Sequence, residues 1–244
     1  MIQLHHGDCF DVLPTIAAGS IDLVCADVPY GTTGCKWDSV LDLERMWLEL
    51  YRVAKPNAAI VLFSAQPFTS VLISSNLKHW KTEWIWEKPH ATGFLNAKKQ
   101  PMRAHENIQV FYRKQPTYNP QMTHGHVRKT SSRSSPDTDV YGKANQFVTY
   151  DSTSRYPRDV QKFSSDKQKQ SLHSTQKPVA LVRYLIETYS NPGEKVLDFT
   201  MGSGTAGVAC QESGRNFIGI EKDQAIYQVA CDRTGYRKDI TEAA

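Results

Sequence analysis

A short, mostly apolar run, Ile21 to Ala26, ends on Asp27 and leads into Val28-Pro29-Tyr30 and Gly31. A continuous apolar stretch bounded by turn residues predicts a buried strand. Its acid and aromatic then emerge at the strand's carboxyl end, where open α/β sheets bind their ligands. The same pattern repeats on either side. Leu4 to Phe10 reads as a strand and a turn at Gly7-Asp8, and Phe10 to Ala18 as a short helix closed by Gly19. Apolar residues at Leu43, Trp47, Leu50, Tyr51 and Ala54 predict an amphipathic helix over Leu41 to Ala54, stopped by Lys55-Pro56-Asn57. Ala58 to Phe63 is a buried strand, Pro67 to Leu77 a helix, and Lys81 to Trp86 an aromatic strand that Lys88-Pro89 ends. Glu106 to Tyr112 is the next strand.

The pattern then lapses. From Arg113 to about Leu172 aliphatic residues are scarce, and Ser, Thr, Gln, Lys and Arg dominate. Between Arg128 and Lys169 basic residues outnumber acids, with Tyr141, Phe147, Tyr150, Tyr156 and Phe163 interleaved. Composition favours a solvated, partly disordered insertion. The sharper reading is a nucleic-acid-facing segment, with cations for phosphates and aromatics for bases. Order returns with a helix over Val179 to Tyr189, stopped by Asn191-Pro192-Gly193. A strand (Val196 to Phe199), a glycine loop (Met201 to Gly204), a helix (Thr205 to Glu212), a strand (Asn216 to Ile220) and a last helix (Gln224 to Arg233) complete the chain. Alternating strands and helices predict an α/β fold built on a mostly parallel sheet with helices on both faces.

Composition changes this picture little. The chain of 244 residues is 40% hydrophobic, enough for one core with a large insertion. Its net charge of +4 permits a polyanion partner without requiring one. No apolar window has the length of a membrane span, and the start, MIQLHHGD, carries no secretion signal, so a cytoplasmic location is expected. Cys9, Cys25, Cys35, Cys210 and Cys231 form no C-x-x-C pair. Neither a zinc site nor a disulfide framework is expected. None of them follows a proline, the setting of the cysteine nucleophile of cytosine-C5 methylation.

The candidate chemistry lies at two places. Asp27 can accept from an amine, and Tyr30 can stack on a flat ring. In DFTMGSGT (198–205), Gly202 and Gly204 let the backbone turn tightly just before a helix whose amides can face a polar ligand. Glu221, at the end of the next strand, can accept both hydroxyls of a ribose. Strand, glycine loop, helix, strand and acid make a nucleoside-binding unit. The spacing G-x-G-x-x-G does occur from Gly202 to Gly207. A nicotinamide dinucleotide fold normally begins with that unit, however, and here it comes late. No Lys-Ser/Thr pair follows, which excludes a P-loop.

Together these motifs resemble the DNA amino-methyltransferases dependent on S-adenosylmethionine (SAM), in their permuted, beta-type order. The catalytic tetrapeptide comes first, a target-recognition region follows, and the cofactor loop comes last. The resemblance implies a Rossmann-like methyltransferase fold, circularly permuted. By that resemblance its catalytic half spans 1–112, a target-recognition insertion 113–172, and its SAM-binding half 173–244. It implies that Asp27 accepts a hydrogen bond from the target amine, that the Val28 carbonyl accepts a second, and that Tyr30, after Pro29, stacks on the flipped base. Asp8 corresponds to an acid near the cofactor's adenine. His173, Thr175, Gln176 and Lys177 of HSTQKP lie near the methionine end of SAM. Asp198, Phe199, Thr200, Gly202, Gly204 and Thr205 form the cofactor loop, and Glu221 binds the ribose. Trp37, Lys88, Arg103, Arg128 and Arg133 are candidate nucleic-acid contacts, and no metal is implied.

Two positions depart from the family pattern. DVPY stands for DPPY, which removes a rigid proline but keeps a carbonyl. DFTMGSGT stands for DPFxGSGT, which removes a cofactor-walling phenylalanine from its place. Neighbouring strand residues face opposite ways, so Phe199 is not an obvious substitute. An acid in the first tetrapeptide position implies adenine N6 as the target, with cytosine N4 or RNA as alternatives. A catalytically weak nucleic-acid-binding module is the rival from another class. The family also implies a bacterial or phage setting, an association with restriction-modification, and a homodimer.

Overall fold

The computed structural model describes residues 1–31, 39–134, 147–164 and 176–237. The chain divides into two compact units, Met1–Asn119 with Asp159–Ala244, and Pro120–Arg158.

The larger unit is built on an 8-stranded sheet. In chain order its elements are β1 (Ile2–His6), α1 (Cys9–Val12), β2 (Ile21–Asp27), α2 (Leu43–Val53), β3 (Ala54–Ser64), α3 (Phe68–Ser75), β4 (Trp80–Thr92) and β5 (Arg103–Phe111). Strands β6 (Lys129–Ser134) and β7 (Phe147–Ser152) belong to the smaller unit. The larger unit resumes with β8 (Val160–Lys162), α4 (Val179–Tyr189), β9 (Lys195–Asp198), α5 (Thr205–Ser213), β10 (Asn216–Glu221) and α6 (Gln224–Thr234). The strand order is β1-β10-β9-β2-β3-β5-β4-β8. From β1 to β3 all neighbours are parallel, while β5 runs antiparallel to both β3 and β4.

Period-2 alternation explains the layers. In β2 and β3, Leu23, Cys25, Ala59, Val61 and Phe63 join one core, with Leu181, Leu185, Ala209 and Ala230 of the α4–α6 layer. Ile21, Val24, Ala26, Ile60 and Leu62 join the other, with Leu13, Met46, Leu50 and Leu72 from the α1–α3 side. Both faces of the central strands are buried, so they read in sequence as continuous apolar runs. The helix starts are capped as their sequences require. Asp42 accepts from the Arg45 N–H at 3.1 Å, and Asp223 accepts from the Ala225 and Ile226 N–H groups at 2.9 and 3.0 Å.

The aromatic strand expected to stop at Lys88-Pro89 runs on to Thr92. The pairing skips from Glu87↔His105 to Thr92↔Arg103, so Pro89 falls in the irregular stretch where no ladder N–H is needed. Inside the stretch expected as a variable insertion, β8 pairs in parallel with β4 of the main sheet. In the smaller unit β6 and β7 form an antiparallel pair, from Lys129↔Ser152 to Ser134↔Phe147, extended by a bridge between Thr123 and Arg155. Arg155 ties this unit's own backbone together, donating to the carbonyls of Val127, Ser152 and Ser154.

Candidate active site

Three parallel strands end on an acid at one edge of the sheet: β2 on Asp27, β9 on Asp198 and β10 on Glu221. Between β9 and β2 the chain order reverses, since β9, β10 and β1 run one way across the sheet and β2 and β3 the other. Such a switch point opens a crevice at the carboxyl edge. Asp27 and Asp198 stand on its two sides.

Asp27 is held from several directions. Its Oδ1 accepts from the Tyr30 hydroxyl at 2.7 Å, and its Oδ2 accepts from Lys177 Nζ at 2.7 Å. The Thr200 hydroxyl donates to its main-chain carbonyl at 3.1 Å. Lys177 Nζ also lies 3.1 Å from Glu106 Oε2, and Lys88 Nζ lies 2.6 Å from Glu106 Oε1. The result is a chain of alternating charge, Lys88–Glu106–Lys177–Asp27, in which the Lys177 side chain is 8% exposed and that of Asp27 29%. Burial alone would lower the Lys177 pKa, but Asp27 and Glu106 outweigh it and hold the ammonium above its usual value. Burial likewise pushes the Glu106 carboxyl up, and Lys177 and Lys88 outweigh it, leaving it below the ordinary glutamate value. Tyr30 stacks on Phe68 with centroids 5.6 Å apart. Val28 is buried in the core.

The glycine loop lies beside this network. Gly202 and Gly204 adopt φ of +53° and +79°, and the space where a Cβ at Gly202 would project is open. Glu221 accepts from the Gly202 N–H at 3.0 Å and the Asp223 N–H at 2.8 Å, one bond to each oxygen. A carboxylate has about four lone-pair sites, so two remain for ribose hydroxyls. The Gly7 N–H donates to the Glu221 carbonyl at 3.0 Å, which sets Gly7-Asp8 next to that acid. Asp8 itself caps α1 through the Phe10 N–H at 2.9 Å. Asp198 is buried and accepts from the Thr200 N–H at 3.1 Å. Burial pushes its carboxyl well above the usual range; that N–H opposes the shift, and the charges of Asp27 and Glu221 add to it. Gln176 Oε1 is buried without a hydrogen-bond partner, an orphaned acceptor beside Lys177. An open glycine turn, spare carboxylate lone pairs and an orphaned acceptor suit a nucleoside cofactor with a cationic, amine-bearing tail.

Other expected residues fall elsewhere. Phe199 is a fully buried core side chain, so only its backbone faces the loop's turn. Thr205 starts α5 and accepts from Arg233 at 3.2 Å. Lys88 is committed to Glu106 rather than presented to solvent. Arg103 is exposed at the start of β5. Arg128, in the smaller unit, makes a two-point ion pair with Asp151 at 2.7 and 2.6 Å. The backbone of Arg133 pairs with Val148. Its side chain, together with Trp37, His173 and Thr175, lies outside the described residues. Among the described residues no group of three or more His, Cys, Asp or Glu is placed to hold a metal ion.

Two residues were missed from sequence. Glu106 carries the charge chain, and its signal was an acid at the start of a strand. In an antiparallel strand that start shares the catalytic edge. Arg233 fastens the loop to α6 by donating to the Ser203 carbonyl and hydroxyl at 2.7 and 2.9 Å.

Comparison with known proteins adds to this geometry. The family profile described as DNA methylase, for N6 and N4 methylases, matches residues 21–232. The DNA adenine methyltransferase YhdJ of Escherichia coli (strain K12) is 32% identical over 234 residues, covering 88% of this chain and 76% of that protein. The Type II methyltransferase M1.MboII of Moraxella bovis is 27% identical over 241 residues, covering 90% and 91%. Among solved structures, the M1.HpyAVI–SAM complex has a TM-score of 0.67 at 24% identity, covering 97% of this chain and 100% of that one. The PvuII DNA methyltransferase, described as cytosine-N4-specific, has a TM-score of 0.69 at 15% identity, covering 98% and 88%. These structural likenesses speak to the fold.

Proposed function

We propose, since the chain belongs to the DNA methylase family, that it methylates the exocyclic N6 amine of adenine in DNA. The family's methyl donor is S-adenosylmethionine. The observation that carries the reading is the tie between Asp27 and the cofactor loop, through the Thr200 hydroxyl on the Asp27 carbonyl. It supports the reading by tying the backbone of Asp27, the proposed amine acceptor, to the loop proposed to hold the methyl donor.

When bound, SAM supplies an electrophilic methyl group on a sulfonium centre. Glu221 would hold the ribose through its spare lone pairs, the Gly202–Gly204 turn would admit the nucleoside, Asp8 would serve the adenine, and Gln176 would offer its unpartnered oxygen to the tail. The target amine is a poor nucleophile because its lone pair is delocalised into the ring. Hydrogen bonds from its two hydrogens, to the Asp27 carboxylate and the Val28 carbonyl, pull the nitrogen toward a tetrahedral shape. Positive charge developing on that nitrogen is stabilised by the carboxylate, and orientation lowers the barrier further. Both Asp27 oxygens are engaged, so the incoming amine displaces the Tyr30 hydroxyl or shares Oδ2 with Lys177. Tyr30 then stacks its ring on the flipped base, offsetting part of an unstacking cost of a few kcal/mol.

Adenine is favoured over cytosine by the acid at position 27, where N4 enzymes more often carry serine. A relative named as an adenine methyltransferase, YhdJ, adds weight. The fold itself is shared with a cytosine-N4 enzyme and does not discriminate. Methylation-sensitive sequencing of DNA from cells expressing the protein tests the reading. N6-methyladenine in one sequence context is expected; N4-methylcytosine alone overturns the adenine assignment. A homodimer is the assembly the family suggests, and sedimentation measures it.

A further inference from the structure

The turn joining β4 to β5 is unlike the rest of the surface. Every residue from 89 to 105 is exposed. Between 89 and 105 there is no acid, while His90, Lys98, Lys99, Arg103 and His105 are present. At the tip, Phe94 is 78% and Leu95 98% exposed. The fold gains nothing from two apolar side chains held in water. The tip is nonetheless built: Gly93 turns at φ +92°, and Phe94–Asn96 form a 3-10 turn. Its backbone is bonded from Asn96 to Gly93 at 3.0 Å, Ala97 to Phe94 at 3.0 Å and Lys99 to Asn96 at 2.8 Å. The hairpin also rises from the catalytic edge. Glu106, three residues into β5 from Arg103, belongs to the charge chain that reaches Asp27. At about 3.3 Å per residue, the base of the hairpin stands roughly 10 Å from that network.

We propose that Phe94 and Leu95 are a wedge that enters the DNA duplex beside the target base, while Lys98, Lys99 and Arg103 hold the flanking phosphates. This rests on the reading of the protein as a DNA methylase. A base that leaves the stack leaves a gap, and apolar side chains are the groups that fill such gaps and unstack base steps. Cations without neighbouring acids suit a polyanion. The shared edge with Asp27 selects the substrate duplex over an anionic membrane surface or a second copy of the chain.

The experiment uses the whole protein, sheared genomic duplex DNA and labelled SAM. For Phe94→Ser with Leu95→Ser, the kcat/KM for DNA and the duplex affinity each fall at least about tenfold. SAM affinity, measured by calorimetry, stays at the wild-type value. For Lys98→Gln with Lys99→Gln, the slope of log affinity against log salt flattens by about 1 to 2. Wild-type kinetics and duplex affinity in the serine variant overturn the wedge. So does wild-type binding to phosphatidylserine vesicles, or a sedimenting dimer, that the serine pair abolishes while DNA kinetics stay unchanged. If the wild-type protein transfers no methyl group, the function reading fails on its own. The wedge is then judged by the duplex affinities, and equal values overturn it.

Discussion

Asp27 accepts from Tyr30 through one oxygen and from Lys177 through the other, so its orientation is set before any substrate arrives. Replacing it with alanine removes the proposed acceptor for the target amine. The expected loss in kcat is about a thousandfold or more, with SAM affinity largely kept, as radiolabelled transfer and calorimetry will read. Glu106 acts one step back. Its carboxyl is held below the ordinary glutamate value, net of a burial effect that works the other way. A depressed acid contributes stability above its unfolded pKa of about 4.3, and that contribution is lost as pH falls through the native value. The Tm difference between wild type and Glu106→Gln is therefore largest near neutrality and shrinks below about pH 4. Thermal scans across pH check it, and a constant difference would contradict the charge chain. Asp27 and Lys177 were legible because each sits in a short motif, although 150 residues separate them. Glu106 was not, because its meaning depends on a lysine distant in sequence. Phe199 occupies a motif position, but strand alternation already argued against its walling the cofactor, and apolar packing claims its side chain.

At the scale of elements, the glycine loop and α6 form one piece. A Cβ at Gly204 would come within 3.0 Å of the Ala230 Cβ and 3.2 Å of its Cα, at a backbone φ of +79°. Gly204→Ala therefore has to push α6 away or abandon the left-handed turn. The expected cost is about 1–3 kcal/mol, read by urea unfolding, together with weaker SAM binding. Strand and helix positions were largely readable, since both faces are covered at Leu23–Ala26, Ala58–Phe63 and Val196–Leu197 and these stretches are wholly apolar. Edges were less readable. Lys88-Pro89 looks like a stop by local chemistry, but a proline in an irregular stretch between two paired registers costs the ladder nothing. Strand β8 left little pattern because its three side chains are exposed or half-buried and offer little to a core.

For the whole molecule, the informative feature was order. An acidic tetrapeptide, then a polar stretch, then a glycine loop could be read along the chain, because each motif's spacing is local. Any sequence recognition by residues 113–172 was not readable, since polar side chains there carry no periodicity. The larger unit also depends on its first strand. Leu4 is buried in the same core as Ala206 and Ala230, and its carbonyl accepts from the Tyr227 hydroxyl at 3.3 Å. Leu4→Ala is expected to destabilise the protein by about 2–5 kcal/mol, measured by denaturant unfolding. A change confined to DNA affinity would contradict that placement.

The pairing of β1 with β10 reaches into biosynthesis. Ile2 lies beside Phe217, and the amino terminus donates to Asn216 Oδ1 at 2.7 Å, a separation of 215 residues. At about 5–20 residues per second, the first strand waits roughly 10 to 40 s on the ribosome for its partner. Gly7-Asp8 and Glu221 meet only when that partner arrives. Until β10 has emerged, a nascent chain cannot form the β1–β10 ladder or bring Gly7-Asp8 beside Glu221.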